Sequence, residues 1–262
     1  MFAELRIQML GQFDLTYDGV RLSAVNTPRL QALLTYLVLH RHAPQARRHL
    51  AFLFWPDSTE AQARTNLRHL IHELLHALPD AERFLCTDTQ TIQWRPEGPY
   101  RLDVAEFDAL SGSDQEADLR RAAGLYGGDL LPGCYDDWIA PERERLRCAY
   151  ATALERLAAL AEDRGDMPAA IAYARRLVEH DPSHEPAYRS LMRLHALNGD
   201  RATALHVYHT CVTVLRRELG VTPDGVTRRL HEQLLNADAA VAPVPVRPVA
   251  ATFPLVGRAA EW

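Results

Sequence analysis

Residues 59–78 read TEAQARTNLRHLIHELLHAL, the strongest helical pattern in the first third of the chain. Its apolar residues recur every three or four positions, the spacing of one buried helix face: Leu67, Leu70, Ile71, Leu74 and Leu78. Asp57, Ser58 and Thr59 precede the pattern as candidate capping residues. The stretch therefore predicts an amphipathic helix that packs on a core along one side.

The opposite face of this helix is polar and carries few acids. On a helical wheel it presents Gln62, Thr65, His69, His72 and His76, with Arg68 beside them and Arg64 nearer the core edge. Arg, His, Gln and Thr side chains can all donate hydrogen bonds to base edges and phosphates. The pattern favours a surface for the DNA major groove, and the alternative is an ordinary solvated face.

The segments on either side of this helix predict a winged helix-turn-helix. Upstream, alternating apolar residues from Leu5 to Tyr17 reach Asp18-Gly19, a strong hairpin signal. Thr27-Pro28 then starts an amphipathic helix, and a short second helix ends at Trp55-Pro56. Downstream, residues 84–86 and 91–94 flank a polar tip and predict a second hairpin. Hairpins around three helices give a winged-helix domain over residues 1–95.

Other basic residues are candidates for contacts with the DNA backbone. Arg47 and Arg48 open the second helix, where a helix N-terminus can meet phosphate, although simple solvation explains them equally well. The hairpin tip at residues 87–90 has no Arg, so Arg95, just beyond the hairpin, is the better candidate there. We expect Arg68, His69 and His72 to face bases, and Arg47, Arg48 and Arg64 to face phosphates.

The motif His72-Glu73-Leu74-Leu75-His76 matches the H-E-x-x-H pattern of zinc proteases. Such a site needs a third ligand and a buried location. The helical pattern instead places His72 and His76 on the exposed face, so we expect no metal site. A zinc hydrolase stays an alternative that metal analysis would test.

From about residue 116 the strand pattern gives way to a repeat. Seven residues have counterparts of the same kind 34 positions later, including Gly165 with Gly199 and Asp166 with Asp200. This spacing is typical of tetratricopeptide helix pairs. Because a single repeat cannot bury its face alone, we expect flanking helices near residues 138–150 and 224–236. Residues 100–236 are predicted to form this helical domain, followed by a Pro-rich linker and the start of a further domain over residues 237–262.

Composition excludes several classes of protein. The 262 residues carry a net charge of −5, yet six Arg and six His face only three acids within residues 27–78. All 29 basic residues are Arg, which excludes a P-loop lysine or a Schiff-base lysine. The four cysteines have no C-x-x-C spacing, and the sequence shows neither a signal peptide nor a membrane span. We expect a cytoplasmic protein without a cofactor.

Motifs in both halves resemble a known family. The stretch from Trp55-Pro56-Asp57 to Leu67-Arg68 is similar to the helix-turn-helix of OmpR/PhoB-type winged helices, and more specifically to the SARP-type regulators. Several later motifs resemble the bacterial transcriptional activation domain of that family in the same order: residues 100–107, 125–131, Asp137-Trp138, Asp181-Pro182 and 218–223.

The resemblance implies a transcription regulator whose third helix enters the major groove and whose wing touches the backbone or minor groove. It implies binding to direct repeats in double-stranded promoter DNA and contact with RNA polymerase through the helical domain. Larger members continue into an ATPase domain, and Leu255-Val256-Gly257-Arg258 looks like its start.

The sequence thus predicts a mainly α protein with a small β component, a winged helix followed by a tetratricopeptide-like domain. We expect a sequence-specific activator without enzymatic activity or membrane contact, whose helical domain self-associates, as in a homodimer, or contacts RNA polymerase. The alternative is a protein-interaction scaffold that uses the groove of the helical repeats without binding DNA.

Overall fold

A computed structural model describes residues 4–236; the predicted linker and the Leu255–Arg258 motif lie outside them. The strands in chain order are β1 Leu5–Gln8, β2 Asp14–Tyr17, β3 Val20–Arg21, β4 Gln45–Ala46, β5 Leu85–Thr87, β6 Thr91–Trp94 and β7 Tyr100–Leu102. The helices are α1 Pro28–Leu39, α2 Arg47–Phe54, α3 Glu60–Ala77, α4 Asp103–Ser111, α5 Glu116–Leu125, α6 Ala140–Asp163, α7 Met167–His180, α8 Glu185–Leu197, α9 Arg201–Leu219 and α10 Gly225–Asn236.

The first sheet has the strand order β3-β2-β1-β7. The turn between β2 and β3 places Asp18 at φ +49° and Gly19 at φ +79°, which confirms the predicted hairpin. Strand β7 was not expected: it pairs in parallel with β1, with Leu5 opposite Tyr100. It returns the chain to the first sheet after the second hairpin.

The three helices and the second hairpin form the predicted winged helix. Thr27 caps α1 by accepting a hydrogen bond from the backbone N–H of Leu30, with Pro28 at the first helical position. Thr59 caps α3 in the same way, by accepting from Gln62. The second sheet has the order β4-β6-β5. Its short strand β4 was not predicted, and it fixes the start of α2 beside the wing formed by β5 and β6.

The chain divides into two compact units, Met1–Ala187 and a second that begins at Tyr188. In the first unit, α4 packs beside β1 and β7, and the segment between α5 and α6 contacts α1. The Trp138 ring lies edge-on to Tyr36, with centroids 5.2 Å apart, and Asp136 pairs with Arg29 at 2.9 Å. These contacts join the winged helix to the segment that precedes α6. The domain boundary expected between residues 95 and 100 stays a prediction.

The predicted helical repeat is present. Gly165 and Gly199 adopt φ values of +74° and +77°, which favour glycine. The residue after each glycine caps the next helix: Asp166 accepts from Ala169, and Asp200 accepts from Thr203. Two helix-turn-helix junctions therefore share one geometry at the 34-residue offset. Among the helices of residues 4–236, none combines the length and apolar composition needed to cross a membrane.

Candidate nucleic-acid interface

Helix α3 separates an apolar face from a polar face, as its sequence predicts. Leu67 and Leu74 are buried in the core of the first unit, together with Ala63, which the apolar pattern did not include. The polar side chains named from the sequence are exposed: Gln62, Arg64, Thr65, Arg68, His69 and His72. The core contacts thus fix the helix while its polar face stays accessible to a ligand.

Four arginines come together beside α3. Arg47 and Arg48 at the start of α2 and Arg64 and Arg68 on α3 line one hollow of about 230 Å³. Glu60 lines the same hollow, as do Thr89 and Gln90 of the wing tip. We call this feature the arginine hollow. The structure thus brings together residues that sequence analysis placed on separate elements.

The contacts of Arg47 tie α2 to the wing. Its backbone N–H donates to the carbonyl oxygen of Gln90 at 2.8 Å, and its guanidinium donates to Thr87 Oγ1. The Nε atom of Arg47 is buried and has no hydrogen-bond partner among the described residues. A buried donor without a protein acceptor costs free energy, which a bound water or a ligand offsets.

The other arginines of the hollow differ in their partners. Arg48 Nε lies 3.4 Å from Glu60 Oε1. Arg64 and Arg68 form no ion pair with any carboxylate within residues 4–236, whereas Arg145 is held by both oxygens of Asp108. The arginines of α3 therefore keep their donors for an external acceptor.

The smaller polar groups on α3 are partly engaged within the helix. Gln62 Nε2 donates to Asn66 Oδ1 at 2.7 Å, and the Thr65 hydroxyl donates to the carbonyl oxygen of Ala61 at 3.0 Å. Each keeps an oxygen that can accept a further hydrogen bond. His69 is exposed on the same face.

The two histidines of the H-E-x-x-H motif are exposed and stack on one another, with ring centroids 4.1 Å apart. His76 Nδ1 lies 2.8 Å from the carbonyl oxygen of His72 and so carries the hydrogen. Within the described residues, no three His, Cys, Asp or Glu side chains are grouped to hold a metal ion. The zinc-hydrolase alternative therefore finds no third ligand there.

The wing tip is shaped by Asp88, which accepts hydrogen bonds from the backbone N–H groups of Gln90 and Thr91 at 2.7 and 2.6 Å. Hydrogen bonds from Thr91 and Gln90 lower the pKa of the Asp88 carboxyl. Arg95 is exposed but follows β6 at the end opposite the tip.

Thr89 and Gln90 of the wing tip belong to the site, although no sequence pattern predicts it. Both belong to a polar tip without a basic residue, and their place in the arginine hollow depends on β4 pairing with β6. No local sequence pattern indicates that pairing, because β4 has only two residues.

Comparisons with known proteins match most of the chain. The bacterial transcriptional activator domain family matches residues 102–235. Transcriptional regulatory protein MoaR1 of Mycobacterium bovis is 27% identical over 253 residues, covering 88% of this chain and 79% of MoaR1. Regulatory protein AfsR of Streptomyces coelicolor is 27% identical over 249 residues, covering 91% of this chain but 25% of AfsR.

A solved structure shares the fold. Mycobacterium tuberculosis EmbR, in complex with a low affinity phosphopeptide, superposes with a TM-score of 0.68 at 22% identity. The match covers 90% of this chain and 66% of the EmbR chain. At this level of identity the likeness shows the winged helix and helical domain as a common architecture.

Proposed function

The chain belongs to the bacterial transcriptional activator domain family, and we propose that it is a sequence-specific DNA-binding regulator that reads promoter DNA with α3. Its relatives MoaR1 and AfsR are regulatory proteins. A regulator of this kind needs a surface that fits the major groove and attracts phosphates.

The observation that carries the proposal is the accessible basic face of α3 beside the arginine hollow. Between Glu60 and Glu73 the helix has no acid, and Arg64 and Arg68 have no carboxylate partner in residues 4–236. Elsewhere many arginines are neutralised, as Arg147 is by Asp129. Basic side chains without partners on one helix are suited to a polyanion.

We expect some residues of this surface to contact bases and others to contact the DNA backbone. Gln62, Thr65, His69 and His72 lie on the exposed face of α3 and are proposed to reach base edges in the major groove. Arg47, Arg48 and Arg64 are proposed to contact phosphates. The first two begin α2, and Arg64 lines the same hollow. Arg95 is proposed to meet the backbone beyond the wing.

The helical domain is proposed to steady the winged helix and to contact RNA polymerase or a second copy of the chain. Support for a partner comes from a hollow of about 610 Å³ between α6 and α7, lined by Cys148, Ala151, Leu177 and His180 among others. Both apolar and polar groups line it, as in many protein interfaces. Binding to direct repeats would place two copies side by side.

We propose no catalytic activity for the chain and expect it to act in the bacterial cytoplasm, where promoter DNA lies. The alternative, a scaffold that binds proteins without DNA, is favoured only by the same α6–α7 hollow. Selection of duplexes from a random pool by the 262-residue chain separates the two hypotheses. A regulator enriches a repeated sequence and binds it more tightly as salt falls, whereas no enrichment would favour the scaffold.

A further inference from the structure

The arginine hollow holds more positive charge than its surroundings neutralise. Arg47, Arg48, Arg64 and Arg68 share the lining of the hollow with one acidic residue, Glu60, and Asp88 of the wing tip interacts electrostatically with Arg47. Like charges gathered in one hollow repel one another, and an anion that enters removes this repulsion. The hollow therefore favours an anion over water.

Arg64 and Arg68 line the hollow and have no carboxylate partner within residues 4–236. Arg47 Nε is buried without a partner among residues 4–236, and α2 has no side-chain cap at Ala46. The Arg47 N–H at the start of α2 already donates to Gln90, and the positive end of the helix dipole adds to the electrostatic attraction of an anion. An acceptor with several oxygens, such as a phosphate group, fits these donors.

The position of Arg68 changes its expected role. The sequence pattern assigns Arg68 to the bases, but in the structure it lines the hollow together with Arg64, Arg47 and Arg48. His69 does not line the hollow. We therefore include Arg68 in the proposed phosphate site, whereas His69 keeps its predicted base-side role.

Glu60 is the acid that competes for this site. It is the first residue of α3, and its carboxylate pairs with Arg48 at 3.4 Å. The side chains of Arg48 and Glu60 are 74% and 46% exposed, so the pair is screened by water and weak enough to exchange. A phosphate that binds Arg48 through Nε competes with the Glu60 carboxylate for that donor.

We propose that the arginine hollow binds one backbone phosphate of duplex DNA, and that Glu60 weakens this contact by competing for Arg48. The inference rests on the proposed DNA-binding function and adds a built-in limit on sequence-independent affinity. Glu60 lowers the affinity for every duplex alike, because a phosphate carries no sequence information.

The test is a fluorescence-anisotropy titration of the full chain against a short duplex of arbitrary sequence at low salt. Glu60→Gln keeps the shape of the side chain and removes its charge. We expect it to tighten binding about two- to five-fold, the range of an exposed ion pair. Glu179→Gln makes the same charge change at an exposed position on α7 and should leave the affinity unchanged.

A second background isolates the mechanism. With Arg48→Ala, the gain from Glu60→Gln should disappear, because the carboxylate then has no guanidinium to occupy. Circular dichroism confirms that each variant keeps its helices. A Glu60→Gln affinity equal to that of wild type, or a gain that persists in the Arg48→Ala background, overturns the competition. If the wild-type chain itself binds no duplex, the proposed function fails instead.

Discussion

The carboxylate of Asp103 accepts a hydrogen bond from the backbone N–H of Met9 at 2.7 Å. The same oxygen accepts from Leu10 at 2.8 Å, and the other oxygen accepts from Val104 at 2.7 Å. Asp103 begins α4 and Met9 follows β1, so one buried side chain joins the helical domain to the first sheet. Burial raises the pKa of this carboxyl, although the backbone donors oppose the shift.

Asp103→Asn should destabilise the first unit by about 1–3 kcal/mol. The amide NH2 group would replace one carboxylate oxygen and would then face a backbone N–H donor instead of accepting from it. Chemical denaturation followed by circular dichroism measures the change. Asp108→Asn is the control, since Asp108 forms an exposed pair with Arg145 that is worth at most about 1 kcal/mol. Equal effects of the two variants would contradict the role assigned to Asp103.

Gly11→Ala should cost more stability than Gly19→Ala. Both glycines have positive φ, +84° and +79°, a conformation that costs other residues about 1–2 kcal/mol. A Cβ on Gly11 would also lie 2.5 Å from the backbone of Gly127, whereas a Cβ on Gly19 meets nothing within 4 Å. Overpacking adds about 1–3 kcal/mol at Gly11. Thermal unfolding of both variants checks the order, and a less stable Gly19→Ala would refute the close approach.

Leu67→Ala should destabilise the winged helix by about 2–5 kcal/mol through a cavity in the core. Leu67 is only 2% exposed. Arg68→Ala, one position along on the exposed side of α3, should stay within about 0.5 kcal/mol of wild type. Urea denaturation distinguishes the two faces, and a large loss in Arg68→Ala would mean that α3 buries its basic side.

The ion pair between Asp129 and Arg147 should make the protein sensitive to acid. Hydrogen bonds from Arg147 lower the pKa of Asp129, so the pair stabilises the fold above the unfolded pKa of about 3.9. This contribution is lost as the pH falls through the lower, folded pKa. Asp129→Asn should therefore lose less stability than wild type between about pH 5 and pH 2 in denaturant titrations. Asp137→Asn, at an exposed site, is the matched control; a profile for Asp129→Asn identical to wild type would exclude the pair as a cause.

Features set by local chemistry could be predicted from the sequence. The Asp18-Gly19 turn, the Thr27 cap and the faces of α3 depend on neighbouring residues, and the 34-residue offset located the turns at Gly165 and Gly199. The strands β4 and β7 were missed because each has two or three residues and exists only through pairing with a distant segment.

In the candidate site, too, features set by neighbouring residues were predictable, whereas those set by contacts between distant segments were not. Each arginine of the hollow was a candidate from its place on a helix, since polarity and helical spacing are visible in the sequence. That the wing tip meets them, through the backbone contact between Arg47 and Gln90, follows from the tertiary fold. Arg68 lines the arginine hollow together with Arg64, and its contact with bases or with the backbone stays a prediction.

The most direct test of DNA reading by α3 is a salt-dependent binding titration on a selected duplex and on a scrambled one. Wild type should bind the selected duplex more tightly, and both more tightly as salt falls. Arg64→Ala should weaken both duplexes alike and lower the salt slope by about one unit, whereas His69→Ala should lose about 1–3 kcal/mol on the selected duplex alone. If both folded variants bind the selected duplex as wild type does, α3 does not read DNA and the scaffold hypothesis takes its place.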